Sequence, residues 1–298
     1  MTPPENQNNE TASEAKKPFN KAKIRLDLAL VEQGFFTTRK EAQTAIMDGA
    51  VLVNNEKVTK SGASISGSDK LALRPGFAKQ KYVSRGGLKL EKALEQFQIK
   101  IQNRICLDVG ASTGGFTDCL LQHGASTVYA IDVGYGQLDW KLRTDKRVIV
   151  KERVNARYLV SQELYEDGAE WASLAVIDCS FISLDKILPA VEKLLTTDNC
   201  EIVCLIKPQF EAGREQVRKG VVRDGKVHLE VLRKTAEHAS SLGFSVQKCT
   251  FSPLKGPKGN IEYLMLLSKE ACTENSIDYD GQVAQAIETL KNASAEES

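Results

Sequence analysis

The stretch DVGASTGGF, residues 108–116, follows an apolar run and places its glycines where a strand gives way to a helix, the setting of a ligand loop. The dinucleotide fingerprint G-x-G-x-x-G needs closely spaced glycines so that a pyrophosphate can reach the helix N-terminus. Here three residues separate Gly110 from the Gly114–Gly115 pair, and the second glycine of that fingerprint is missing. Asp108 stands just ahead of the loop, where it would repel a pyrophosphate and suit the amino group of an amino-acid-like ligand. Asp132 closes the next apolar run 24 residues later, where a carboxylate can accept both hydroxyls of a ribose. A nucleoside carrying a cationic amino acid fits both, and S-adenosylmethionine is such a molecule. The alternative is a plain tight turn, with Asp108 serving the positive end of a helix. Two more polar residues lie where apolar runs end, Asp178 in LAVIDCS and Lys207 in EIVCLIKP. A doubly wound sheet opens its crevice at such strand ends. A lysine that finishes an otherwise apolar strand needs a reason to be there.

Short apolar runs alternate with helical patterns on either side of these residues. RICLDVG, TVYAIDVG, the stretch around Arg147–Lys151, LAVIDCS and EIVCLIKP read as strands. GGLKLEKALEQFQI puts Leu90, Ala93, Leu94 and Phe97 on one helical face, and GGFTDCLLQHG, SLDKILPAVEKLL and HLEVLRKTAEHASSLG continue the helical series. The pattern predicts an α/β fold with a mostly parallel sheet and helices on both faces. FSVQKCTFS and IEYLMLLS, joined by the short loop PLKGPKGN, are expected to add an antiparallel hairpin at one edge.

The N-terminal third has a different character. Residues 1–20 are rich in Pro, Asn, Glu and Ser and read as a disordered tail. Residues 21–74 read as a small α+β module. Ile24, Leu28 and Val31 are spaced for one face of a short helix stopped by Gly34. Thr37 or Thr38 caps a second helix that buries Ala42, Ala45 and Ile46 and stops at Gly49. AVLVNNEKV then reads as a hairpin about an Asn-Asn turn, followed by a second strand pair at Ser64–Ile65 and Lys70–Leu73. Residues 75–83 form a linker, 84–270 the large domain, and 271–298 a C-terminal helix or tail whose last dozen residues are expected to fray.

Charge follows the same division. The formal net charge of +1 hides fifteen Lys/Arg against eight Asp/Glu in residues 21–100, while the rest of the chain is net acidic. A basic module joined to a mildly acidic body suits a polyanion-binding protein. The seven cysteines form no CxxC pair and only three histidines occur, so no metal site is expected and the thiols read as buried and reduced. The polar N-terminus and the lack of an eighteen-residue apolar run point to a cytoplasmic protein with no membrane contact.

VSRGGLKL, LDVGASTGGFTD, IDCSFISL, LIKPQFE and GNIEY together resemble the FtsJ-type 2′-O-ribose RNA methyltransferases. RLDLALVEQG and TRKEAQTAIMDGAVLVNNEKV resemble the S4 RNA-binding module, with Thr38 and Asn55 where the pattern usually has Ser and Gly. The two in this order resemble the TlyA family of rRNA ribose methyltransferases over roughly residues 24–270. The resemblance implies a Rossmann-like class I methyltransferase domain behind a small S4 domain, with S-adenosylmethionine as cofactor. It implies methylation of ribose 2′-hydroxyls, of cytidine by family likeness, with ribosomal RNA or ribosomal subunits as partner.

It further implies a catalytic set of Lys89, Asp178, Lys207 and Glu262. A ribose hydroxyl is a poor nucleophile and must lose its proton as it attacks, so a lysine acts as base only if its pKa falls from about 10.4 toward neutrality. Lys207 either takes that role or stays charged and orients the hydroxyl, while Glu262 fixes Lys89 and the ribose. The donor site comprises Asp108, Gly110, Ser112, Thr113, Gly114, Gly115, Phe116, Asp132 and Asp178, with Asn155 at the adenine. Arg25, Arg39, Lys40, Lys57, Lys60 and Arg85 are the expected RNA contacts, and Arg214, Arg218 and Lys219 sit in a charged loop beside the crevice. Three other readings remain: a non-catalytic ribosome-assembly factor, a cytolysin, since members of this family have carried the name haemolysin, and a methyltransferase acting on protein or a small molecule.

Overall fold

The computed structural model describes residues 23–74, 77, 81–271 and 277–296. The chain divides at residues 79–80 into two units. The expected disordered tail and part of the expected linker lie outside the described residues.

The small unit comprises β1 (Ile24–Arg25), α1 (Leu26–Glu32), α2 (Arg39–Met47), β2 (Val51–Val53), β3 (Glu56–Lys57), β4 (Ser64–Ile65) and β5 (Leu71–Leu73). α2 forms as its pattern predicts. The Thr38 hydroxyl accepts from the Glu41 backbone N–H at 3.2 Å, and Ala42, Ala45 and Ile46 are buried. Asn54 and Asn55 take φ of +53° and +68°, the left-handed pair that a two-residue hairpin turn demands between β2 and β3. The expected face of the first helix is wrong. Ile24 belongs to a strand paired with β4, so the helix begins only at Leu26; its buried stripe is Leu26, Ala29 and Leu30, with Leu28 exposed. β4 and β5 are strands but not partners, because β4 pairs with β1 and β5 with β2. Both differences have one cause. Two-residue strands carry too little pattern to select their neighbours.

The large unit opens with α3 (Gly86–Phe97) and continues through β6 (Ile105–Val109), α4 (Gly115–Gln122), β7 (Thr127–Asp132), α5 (Trp140–Arg143), β8 (Val148–Glu152), α6 (Ser161–Leu164) and β9 (Leu174–Ile177). It is completed by α7 (Leu184–Glu192), β10 (Glu201–Ile206), α8 (Pro208–Glu211), α9 (Gly225–Ser241), β11 (Ser245–Phe251), β12 (Tyr263–Ser268) and α10 (Tyr279–Glu296). One seven-stranded sheet runs in the order β11-β12-β10-β9-β6-β7-β8. The strands from β6 to β10 are parallel, and β12 is antiparallel to both β10 and β11. The expected terminal hairpin is present, but only β11 is an edge; β12 lies inside the sheet. The C-terminal segment read as fraying continues as helix through Glu296.

Alternate side chains of the strands feed two cores. Leu107 and Val109 pack with Leu188 of α7 and Leu232 of α9, while Cys106 packs on the opposite face with Leu90 of α3 and Leu120 of α4. Both faces are covered, so the strand ends are where a ligand can enter. No helix among the described residues is long and apolar enough to cross a membrane.

Candidate active site

A cavity of about 660 Å³ opens at the C-terminal ends of β6, β9 and β10, and the loop after β6 forms one wall of it. Gly110 takes φ +89°, and a Cβ there would stand 2.7 Å from the Asp178 carbonyl, so glycine lets the ends of β6 and β9 approach. Gly110 and Ala111 donate to the Ile131 carbonyl at 2.8 and 3.1 Å, which ties the loop to β7. A Cβ on Gly115 would lie 2.4 Å from Ser84 Oγ and 2.9 Å from the Gly87 nitrogen. That close approach seats the start of α4 against the start of α3, whose first turn carries Lys89.

Four polar side chains meet in the cavity as two ion pairs. Lys207 ends β10, and its Nζ lies 2.6 Å from Asp178 Oδ1 and donates to Ser180 Oγ at 2.8 Å. Lys89 donates to Glu262 Oε2 at 2.6 Å. Glu262 precedes β12 and is fully buried, and the inner place of β12 accounts for the burial. Glu262 Oε1 is buried and has no hydrogen-bond partner. Gly256 makes room for it, since a Cβ at that position would sit 2.0 Å from the same oxygen.

The expected donor residues divide into two groups. Gly110, Ser112, Thr113, Gly115, Phe116 and Asp178 line the cavity. Asp108 is fully buried beneath the loop and does not line it. Its Oδ2 accepts from Thr117 Oγ1 at 2.6 Å, its Oδ1 has no partner, and burial pushes its carboxyl up to about 7. Asp132 accepts from the backbone nitrogens of Ser112, at 2.8 Å, and Gly134, at 2.6 Å. Each carboxylate oxygen has a second lone pair for a ribose hydroxyl. Gly114, at φ +95°, faces Leu138 and Leu142 and not the cavity. Asn155 is exposed, lies outside the cavity lining, and accepts from the Arg157 nitrogen at 3.1 Å, which is a loop cap.

Among the expected RNA contacts, Arg25 and Arg39 converge on the buried Asp27, at 2.9 and 3.0 Å, and remain about half exposed (46% and 49%). Lys40, Lys57 and Lys60 are exposed on the small unit, as Arg85 is on the large one. The cavity also recruits Ser180, Phe181, Gln209, Phe210, Lys258 and Asn260, which the sequence did not single out. Phe181 has φ +65° and a ring 90% exposed, 5.1 Å from the Phe210 ring. An aromatic in the left-handed region beside a crevice is a strain that sequence patterns do not reveal.

The FtsJ-like methyltransferase family matches residues 82–269, and the S4 domain matches residues 24–71. The 16S/23S rRNA (cytidine-2′-O)-methyltransferase TlyA of Mycobacterium tuberculosis is 42% identical over 246 residues, 82% of this chain and 90% of its own. Hemolysin A of Brachyspira hyodysenteriae is 47% identical over 243 residues, 81% of this chain and 98% of its own. A solved structure from Streptococcus thermophilus that carries a hemolysin name is 45% identical, with a TM-score of 0.72 over 92% of this chain and 99% of its own.

Proposed function

We propose that this chain, which belongs to the TlyA family of FtsJ-like methyltransferases, methylates ribose 2′-hydroxyls of cytidine in ribosomal RNA. The observation that carries the reading is the pair of ion pairs, Lys207–Asp178 and Lys89–Glu262, facing one cavity beside the glycine loop. The loop fits S-adenosylmethionine, because Gly110 removes the Cβ that would close the strand ends and Asp132 retains lone pairs toward the ribose side. Gly110, Ser112, Thr113, Gly115, Phe116, Asp132 and Asp178 would hold it; Asp108 would act from beneath, by fixing Thr117. Bound there, S-adenosylmethionine supplies an electrophilic methyl group on a sulfonium centre.

The protein's share of the chemistry is to prepare the hydroxyl. Lys207 Nζ, held by Asp178 and Ser180, is the group that meets the 2′-hydroxyl, either as the base that takes its proton or as the ammonium that orients it. Glu262 fixes Lys89 through Oε2, so the ribose meets a preset donor. The exposed Phe181 ring at the mouth offers a stacking face to a base turned out of its helix. The S4 unit contributes exposed lysines and half-exposed arginines for RNA phosphates. On this reading the enzyme works in the cytoplasm, where its substrate is.

The test uses labelled S-adenosylmethionine with ribosomal particles or rRNA, followed by mapping of 2′-O-methyl positions. Label at cytidine is expected from the native protein. The Lys207→Ala variant should lose turnover by about a thousandfold or more, with donor affinity within a few-fold. Absence of label with intact donor binding would transfer the chain to the assembly-factor reading. Unchanged turnover in the variant would remove Lys207 from the mechanism.

A further inference from the structure

We infer that Lys258 is a binding site for a backbone phosphodiester of the RNA, set beside the ribose whose hydroxyl is methylated. The inference rests on the function proposed above and adds the contact that places the substrate.

Three lysines line the cavity: Lys89, Lys207 and Lys258. Lys89 and Lys207 are each neutralised by a carboxylate in the same cavity. Among the described residues no carboxylate lies within ion-pair distance of Lys258. The two closed pairs leave the inner cavity near neutrality, while a ribose that presents a 2′-hydroxyl carries a phosphodiester on the neighbouring carbon. That negative charge has one uncommitted ammonium to meet.

Lys258 is also held in place. It sits in the short turn Pro257–Gly259 with φ +58° and ψ +14°, a left-handed conformation in which glycine or asparagine is the ordinary choice. Its side chain lies across Gly220, where a Cβ would stand 2.9 Å from Nζ and 3.3 Å from Cδ. Gly220 is the tip of a tight turn in which Arg218 and Val221 exchange backbone hydrogen bonds at 3.0 Å, with Lys219 and Gly220 both at positive φ. The turn is fixed to the Lys258 loop by Asn260, which is 3% exposed. Asn260 accepts from the Val222 nitrogen at 3.2 Å and donates to the carbonyls of Gly220 and Pro257, both at 2.9 Å. Every polar atom of that amide therefore joins the two loops. A surface lysine kept only for solubility needs no such seat.

The test compares native protein with Lys258→Ala, Lys258→Arg and Lys258→Gly in methylation of the same rRNA across a salt series, with donor affinity measured separately. For Lys258→Ala the KM for RNA is expected to rise about tenfold near 0.15 M salt, with kcat within about twofold and donor affinity unchanged. The slope of log(kcat/KM) against log salt should become shallower by about 0.7 to 0.9, the loss of one phosphate contact. Lys258→Arg should retain native behaviour. Lys258→Gly relieves the left-handed backbone and should match Ala, which separates the lost charge from any folding defect. Native KM and salt slope in both the Ala and Gly variants would overturn the inference while leaving the reaction standing, and so would a fall in kcat with the slope unmoved. A native protein that transfers no methyl to RNA would overturn both.

Discussion

Asp27 in the small unit and Glu262 in the large one are both fully buried carboxylates paired with cations, yet they are finished differently. Asp27 is saturated. Arg25 donates to both its oxygens, and Arg39 and Gln43 add bonds to Oδ2 at 3.0 and 2.8 Å. Glu262 takes a hydrogen bond from Lys89 and leaves Oε1 without a protein partner, and Asp108 beneath the glycine loop likewise keeps one oxygen without a partner. A saturated buried carboxylate organises its neighbours. An unsaturated one is an incomplete structure that a ligand or a proton completes.

The difference is sharpest at Glu262. Glu262→Gln should lower turnover by about a hundredfold or more, yet leave the thermal midpoint within a few degrees, since it removes an under-satisfied charge. A large loss of stability with little loss of turnover would reverse the assignment and make this pair the structural one. At Asp108 the test is pH. Its folded carboxyl, raised to about 7 by burial, binds its proton more tightly than the unfolded chain does. Stability of the large unit should therefore fall as pH rises from about 4 to about 7, by up to about 1.4 kcal/mol per unit, and Asp108→Asn should flatten that fall. Chemical denaturation over a pH series reads it, and identical slopes for native and variant protein would remove Asp108 as the cause. The smallest effect is at Asp27, whose carboxyl the Arg25 hydrogen bonds hold well below the usual range. Its contribution is present above the unfolded carboxylate pKa near 4 and is lost as pH falls. Asp27→Ala should cost the small unit about 2 kcal/mol, discounted because both arginines are half exposed, with donor affinity unchanged. Hydrogen exchange resolved by unit would show it. Equal loosening of the large unit would contradict the separation.

Legibility in the sequence followed the same line. Strands β6, β7, β9 and β10 are long apolar runs closed by glycine or charge, so their order and the polar residues at their ends could be read directly; Asp178 and Lys207 were found that way. Lys89 and Glu262 could not, because a lysine on a helix and a glutamate ahead of a late strand have no local mark, and the resemblance to a family supplied them. Phe181, Lys258 and Asn260 were missed because their positions depend on left-handed backbone and on loops that meet only in three dimensions. Asn155 shows the limit of spacing as a guide: it lies outside the cavity lining, and the Arg157 nitrogen engages its side chain. In the small unit the helix face was misread because Ile24 belongs to a strand too short to announce itself by pattern. The bond network of Asp27 reaches 12 and 16 residues along the chain, and no periodicity predicts it.

Lys89 and its partner Glu262 are 173 residues apart, and Glu262 leads into β12, the last strand to be made and yet an inner strand of the sheet. On the ribosome the chain emerges from its N-terminus, so the S4 unit, the glycine loop and Lys207 are all available before that strand is. A chain ending after β10 would contain the glycine loop and the S4 unit but not the Lys89–Glu262 pair. Placing Glu262 at the head of a strand that lies between two others means that its ion pair with Lys89 can close only after the last strand of the sheet has been made.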